Sequence, residues 1–300
     1  MSRPSHPRPP VPRAPRSRRV TPLLGLLTSM LCACAGTSIP SEAEKRPEPM
    51  GWTGVLDEAA FAALHELRTD TDPAPLRGSE IDLEGTRAWL SLPNAAAAPL
   101  PAVIVIHEWW GLNDHIRRWT DRLAADGYAA LAVDLYGGRT ATTREEASAY
   151  MREVDESAAR ATLLAAHRFL ATDSRIRAER RGVIGWCFGG GWSLQLAMAA
   201  PDLDAAVIYY GRLVADPSQL AAIRAPVLGV FGLRDRGIPP AAVDAFEAAM
   251  KSAGRDVEIL RYDADHAFAN PSGARYDAVH ATAAFAAVRR FLERTLKTGG

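Results

Sequence analysis

Val183-Ile184-Gly185-Trp186-Cys187-Phe188-Gly189-Gly190-Gly191 decides how the rest of the chain is read. An apolar run rich in β-branched residues enters a Gly-x-Cys-x-Gly turn, and Trp192 to Ala200 leaves it with helical composition. A turn this tight between strand and helix has no room for side chains at its flanks, which are therefore glycine. Its central residue is held in a strained backbone conformation with its side chain projected outward. Cys187 would sit at the helix N-terminus, where the dipole and unpaired N–H groups favour a thiolate. A lone cysteine in an apolar segment also reads as a small buried hydrophobe, so an acid and a histidine in the right downstream order must decide between the two.

Outward from this turn, strands and helices alternate. Ile81 to Leu92, broken by Glu84-Gly85-Thr86, has the alternation of an antiparallel hairpin at a sheet edge. Ala102 to His107 is a continuous apolar run, as expected of a parallel strand covered on both faces. Helices are expected over His115 to Asp126, Arg144 to Met151, Ser157 to Leu170, Pro217 to Ile223, Pro240 to Ala253 and Arg275 to Leu296. Strands are expected over Tyr128 to Val133, Arg181 to Trp186, Ala205 to Tyr209, Val227 to Phe231 and Val257 to Arg261. The alternation predicts an α/β fold with a mostly parallel central sheet and helices on both faces, and chemistry collects at the carboxyl ends of such strands.

Two of those ends carry the expected partners of a nucleophile. Asp235 comes after the strand ending at Phe231, and His266 after the strand ending near Arg261. Nucleophile, acid and histidine thus occur in the order of the α/β-hydrolase triad. In that reading Cys187 attacks a carbonyl carbon, His266 takes the thiol proton, and Asp235 fixes the imidazole tautomer. Asp263 and Asp265 stand too close to His266 to orient it and read as loop caps; His107, His115, His167 and His280 read as surface or core residues. At the end of the strand from Ala102 comes His107-Glu108-Trp109-Trp110-Gly111-Leu112-Asn113. The backbones of Trp109 and Phe188 are the expected oxyanion donors. Glu108 is a carboxylate in an aromatic turn, where desolvation raises the pKa and a thiol can share its proton. Trp109, Trp110 and Trp186 read either as an apolar pocket wall or as core packing.

Hydrophobic residues make up 48% of the 300, enough for a sizeable core. Arg3, Arg8, Arg13, Arg16, Arg18 and Arg19 stand in residues 1–33 without an acid, so the formally neutral chain has a mildly acidic body and no basic cluster suited to nucleic acid. After the Pro/Arg-rich start, Val20 to Leu31 is apolar but too short to span a bilayer, the build of a secretory signal. Leu31-Cys32-Ala33-Cys34 resembles a bacterial lipobox with Cys34 as the lipidated residue; cleavage near Ala35-Gly36 as an ordinary signal peptide is the competing reading. The expected organisation is a leader over 1–33, a Pro-containing tether over 34–50 and a single domain over 51–300, with a short helix over Leu56 to Leu67. The expectation is an exported, membrane-anchored monomer whose mature domain has one free thiol, Cys187.

Together these residues resemble the dienelactone hydrolase family of α/β hydrolases. The resemblance runs from about Ile81 to Leu296 and rests on Glu108 in its aromatic turn, the elbow at Cys187, Tyr209-Tyr210-Gly211, Asp235 and His266-Ala267-Phe268. It implies hydrolysis of a small ester or enol-lactone through a cysteinyl acyl-enzyme, with no metal or organic cofactor, and a role for Glu108 in activating the resting cysteine. It also implies a substrate pocket reached by Tyr210, Trp110 and Asn270. Family members that hydrolyse dienelactone place an arginine four residues after the histidine, where this chain has Asn270. An amide cannot form the bidentate charged pair of an arginine with a carboxylate, so a neutral or differently charged lactone or ester is expected. A catalytically idle binding domain at the membrane, or a redox thiol at Cys187, are the competing functions.

Overall fold

The computed structural model describes residues 52–53 and 75–297. The expected leader, tether and helix over Leu56 to Leu67 lie outside them. Ten strands are present among the described residues: β1 Trp52–Thr53, β2 Ser79–Leu83, β3 Thr86–Ser91, β4 Ala102–Ile106, β5 Ala129–Val133, β6 Arg181–Trp186, β7 Ala205–Tyr209, β8 Leu213–Val214, β9 Val227–Gly232 and β10 Val257–Tyr262. The helices are α1 Asp114–Ala125, α2 Arg144–Glu153, α3 Glu156–Thr172, α4 Phe188–Ala199, α5 Pro217–Leu220, α6 Pro240–Ser252 and α7 Ala278–Leu292.

Eight strands form one sheet in the order β10-β9-β7-β6-β4-β5-β3-β2. The pairs β2–β3 and β3–β5 are antiparallel, and the rest are parallel. Every residue of β4, β5, β7 and β9 is buried, which is why these segments read as unbroken apolar runs rather than alternating ones. The chain passes from β4 to β5 on one side and returns as β6 on the other, so β4 and β6 flank the point where the strand order reverses. Their register sets Ile106 opposite Gly185; further along, Trp186 pairs with Tyr209, Tyr209 with Val230, and Gly232 with Tyr262. The loops after these residues, carrying Glu108, Cys187, Tyr210, Asp235 and His266, therefore emerge along one rim.

Local chemistry sets the helix starts. Asn113 accepts from the Ile116 N–H, Thr143 and Glu146 form a capping box, and Asp155 accepts from the Ala158 N–H. The closing helix begins later than expected from its apolar spacing: the Asp277 carboxylate accepts from the N–H groups of Val279 and His280, which leaves Arg275 and Tyr276 outside. Its last turn, Glu293–Lys297, widens into a π-helix. Helix α5 is shorter than expected, ending at Leu220. The two-residue pairing of β1 with β8 was not legible in the sequence. Trp186 takes the core-packing reading. Its ring stacks on Trp119 at 4.7 Å and Tyr209 at 5.5 Å, while Trp119 meets Phe285 of α7, so Trp186 packs α1 and α7 onto the sheet rather than walling a pocket.

Candidate active site

Cys187 occupies the turn between β6 and α4 with φ 55° and ψ −114°. The flanks show why the turn needs glycine. A Cβ on Gly185 would lie 2.2 Å from the Gly189 carbonyl oxygen, and one on Gly189 would lie 2.3 Å from that of Ile106. Backbone atoms cannot yield as a flexible side chain can. Tyr210 (φ 33°) and Ala267 (φ 62°), which come after β7 and β10, share the left-handed backbone. Strain thus collects on three residues of one rim.

On the same rim as the cysteine, His266 and Asp235 form a buried pair. The His266 Nδ1–H donates to Asp235 Oδ2 at 2.7 Å, and the other Asp235 oxygen accepts from the N–H groups of Gly237 (2.7 Å) and Ile238 (3.0 Å). Asp235 is thereby fixed in direction, and so is the imidazole it holds. Asp263 and Asp265 turn the other way: they pair with Arg234 at 2.8 and 3.7 Å, as ion pairs rather than the loop caps the sequence suggested. The Tyr210 ring tilts against His266 with centroids 5.0 Å apart.

The N–H groups of Phe188 and Trp109 are directed at the Cys187 sulfur, where they favour its anionic form. They do not prevail. The sulfur is buried, and burial, followed by the charges of Glu108 and Asp235, pushes the thiol well above its ordinary value. The pull toward a thiolate read from the helix N-terminus is thus outweighed by the loss of water.

Glu108 is 2% exposed. Burial raises its pKa to about 8, against hydrogen bonds from Tyr210 and Asn270 that lower it. The Tyr210 hydroxyl donates to Oε1 at 3.5 Å, and the Asn270 side-chain amide donates closely to Oε2. Asn270 is oriented by Ser272, whose N–H and hydroxyl donate to Asn270 Oδ1 at 2.8 and 2.6 Å. His115, which read as a surface or core residue, brings its Nε2 to 3.8 Å from Glu108 Oε2; burial lowers its pKa to about 4, so it stands there neutral. His107 does belong to the core. It is fully buried, with Nδ1 bonded to the Glu108 carbonyl oxygen at 2.7 Å and Nε2 accepting from the Leu135 N–H at 3.1 Å, which clamps the loop presenting Glu108 and Trp109.

Trp109 and Trp110 pack against each other at 5.5 Å and are buried. Beyond the expected set, the rim includes Tyr136, Arg212 and Ser272. Arg212 is exposed, and the Cys187 charge acts on it. Only its position, just past Tyr209-Tyr210-Gly211, could have marked it in the sequence. Among the described residues, no cluster of His, Cys, Asp and Glu is arranged to hold a metal ion.

A strand, a tight cysteine-bearing turn and a helix at the switch point of a mostly parallel sheet define an α/β hydrolase fold. Residues 86–296 match the model of the dienelactone hydrolase family. The chain belongs to that family. It is 32% identical over 272 residues to an Escherichia coli K12 protein provisionally named a carboxymethylenebutenolidase, covering 81% of this chain and 90% of that one. A Methylorubrum extorquens protein of the same provisional name is 34% identical over 196 residues, covering 60% and 67%. Among solved structures, a provisionally named dienelactone hydrolase from Klebsiella pneumoniae superposes with a TM-score of 0.64 at 30% identity, covering 72% of this chain and 98% of that one.

Proposed function

We propose that this hydrolase cleaves a small ester or lactone through a thioester on Cys187. The observation that carries the reading is the buried pair at the rim, His266 Nδ1 bonded at 2.7 Å to Asp235, on the same strand ends as a sulfur at which two backbone N–H groups converge. As the sulfur attacks the carbonyl carbon, its proton passes to His266 Nε2. The carbonyl electron pair moves onto oxygen, where the Trp109 and Phe188 N–H groups receive it. Collapse expels the alkoxide, which takes the proton from His266, and water activated by the same imidazole then hydrolyses the thioester. Asp235 holds the imidazole and steadies its positive form. Glu108 carries a proton at neutral pH, so the resting thiol does not face a full negative charge there; its place against the cysteine supports a part in activation.

The chemistry near Asn270 bears on the substrate. Its amide is spent on Glu108 and its oxygen on Ser272, so this position presents no charged donor to a substrate carboxylate. A lactone or ester without a carboxylate at that point is the substrate class proposed. The test is a panel of short-chain p-nitrophenyl esters and lactones against wild type and Cys187→Ala. Turnover that vanishes in the variant supports the reading; undiminished turnover overturns it.

We also propose that the protein is exported and anchored through lipid on Cys34. The support is the arginine-rich start, the short apolar segment and Leu31-Cys32-Ala33-Cys34. Metabolic labelling with a fatty-acid analogue should mark wild type and not Cys34→Ala, and equal labelling would refute the anchor.

A further inference from the structure

Tyr136 lies just past β5 and has no part in the mechanism above. Its side chain is 2% exposed, and among the described residues its hydroxyl has no hydrogen-bond partner. A buried hydroxyl without a partner is unfavourable, and a ring needed only for packing would be served by phenylalanine. The surroundings of this ring indicate what the hydroxyl is for. It meets His107 edge-on at 4.7 Å and Phe188 at a tilt at 5.3 Å, and His107 stacks on Phe188 at 5.6 Å. His107 bonds the Glu108 carbonyl, next to the Trp109 N–H, and Phe188 supplies the other N–H aimed at the sulfur. Tyr136 therefore packs on both residues that hold the two backbone donors in place. After burial, the charge acting most strongly on its phenol is that of Cys187, ahead of Arg139 and Asp134. The hydroxyl is thus a buried donor, unpaired among the described residues, on a ring packed against Phe188, the residue that follows the nucleophile.

We propose that the Tyr136 hydroxyl is a third donor to the substrate oxygen that becomes negative when Cys187 attacks. This rests on Cys187 being the nucleophile. As the carbon–sulfur bond forms, the carbonyl electron pair moves onto that oxygen, and Tyr136 donates a hydrogen bond to it while keeping its own proton. When the intermediate collapses, the pair returns to carbon and the leaving oxygen departs, protonated by His266. Because the hydroxyl is paired only during reaction, its contribution falls on the chemical step and not on the resting fold.

Tyr136→Phe keeps the ring and removes only the hydroxyl. With p-nitrophenyl acetate, the expected result is a kcat lower by about tenfold or more with KM within about twofold. The urea denaturation midpoint should be equal to that of wild type or higher, because an unsatisfied buried group has been removed. A kcat within about twofold of wild type would overturn the proposal. So would a lost kcat accompanied by a lower midpoint, which would assign the hydroxyl to the fold. Cys187→Ala assayed alongside separates the two levels: turnover persisting there refutes the nucleophile itself, whereas loss there with full activity in Tyr136→Phe refutes only the third donor.

Discussion

Asp235 and Glu108 are carboxyl groups on the same rim, 3% and 2% exposed, yet their surroundings differ. Asp235 meets the N–H groups of Gly237 and Ile238 and the imidazole N–H of His266, three well-placed donors that replace the water it has lost. Glu108 meets the Asn270 amide, a tyrosine hydroxyl at 3.5 Å and a neutral histidine at 3.8 Å, and its pKa rises to about 8. Equal burial thus supports different tasks. The donors decide whether a buried carboxyl serves to orient a neighbour or to hold a proton.

The largest expected effect that would break this contrast is Asp235→Asn. An amide cannot fix the imidazole in the same tautomer, and kcat should fall about 10²- to 10⁴-fold, checked by steady-state kinetics. A loss no greater than that of a surface substitution would show that Asp235 does not orient His266.

Glu108→Gln should act on the pH dependence of stability. The folded pKa near 8 lies above the reference value of 4.5, so between these values the folded state holds a proton the unfolded state releases, and stability falls as pH rises. His115 works in the opposite sense: its folded pKa of about 4 lies below 6.5, so stability rises with pH across that interval. The two slopes oppose each other between about 4.5 and 6.5, and that of Glu108 alone continues to about 8. Wild type should lose about 2 kcal/mol between pH 6.5 and 8, and Glu108→Gln should remove most of that loss, read from urea denaturation at each pH.

The smallest effect sharpens the contrast. Asn270→Ala withdraws the close donor from Glu108, and the upper end of the same slope should move up by about half to one pH unit. A downward movement would mean that Asn270 does not favour the charged form.

What could be read in the sequence was the part set by local backbone chemistry. Gly185 is required by a contact within its own turn, with Gly189, and the apolar runs that became β4, β5, β7 and β9 carry their burial in their composition; Gly189 is required by the close approach of the Ile106 and His107 carbonyls at the end of β4. Cys187, Asp235 and His266 each come directly after a strand, so a parallel sheet brings them to a shared rim. The rest depended on contacts across the fold. The approach of His115, in the first turn of α1, and of Asn270, in the loop after β10, to Glu108 depends on how these elements pack, and no spacing encodes it. The pull of the helix N-terminus toward a thiolate is outweighed by burial of the sulfur, which only the assembled rim determines. Trp186 lies next to the nucleophile in sequence but, as the last residue of β6, points into the packing of α1 and α7 on the sheet, whereas Cys187 stands in the turn beyond it.

Mass spectrometry of enzyme quenched within milliseconds of mixing with an activated ester tests the central proposal most directly. The account predicts an acyl adduct on the peptide carrying Cys187, formed at least as fast as overall turnover and longer-lived in Asp235→Asn. Turnover with no adduct at Cys187, or with the acyl group on another side chain, would contradict it.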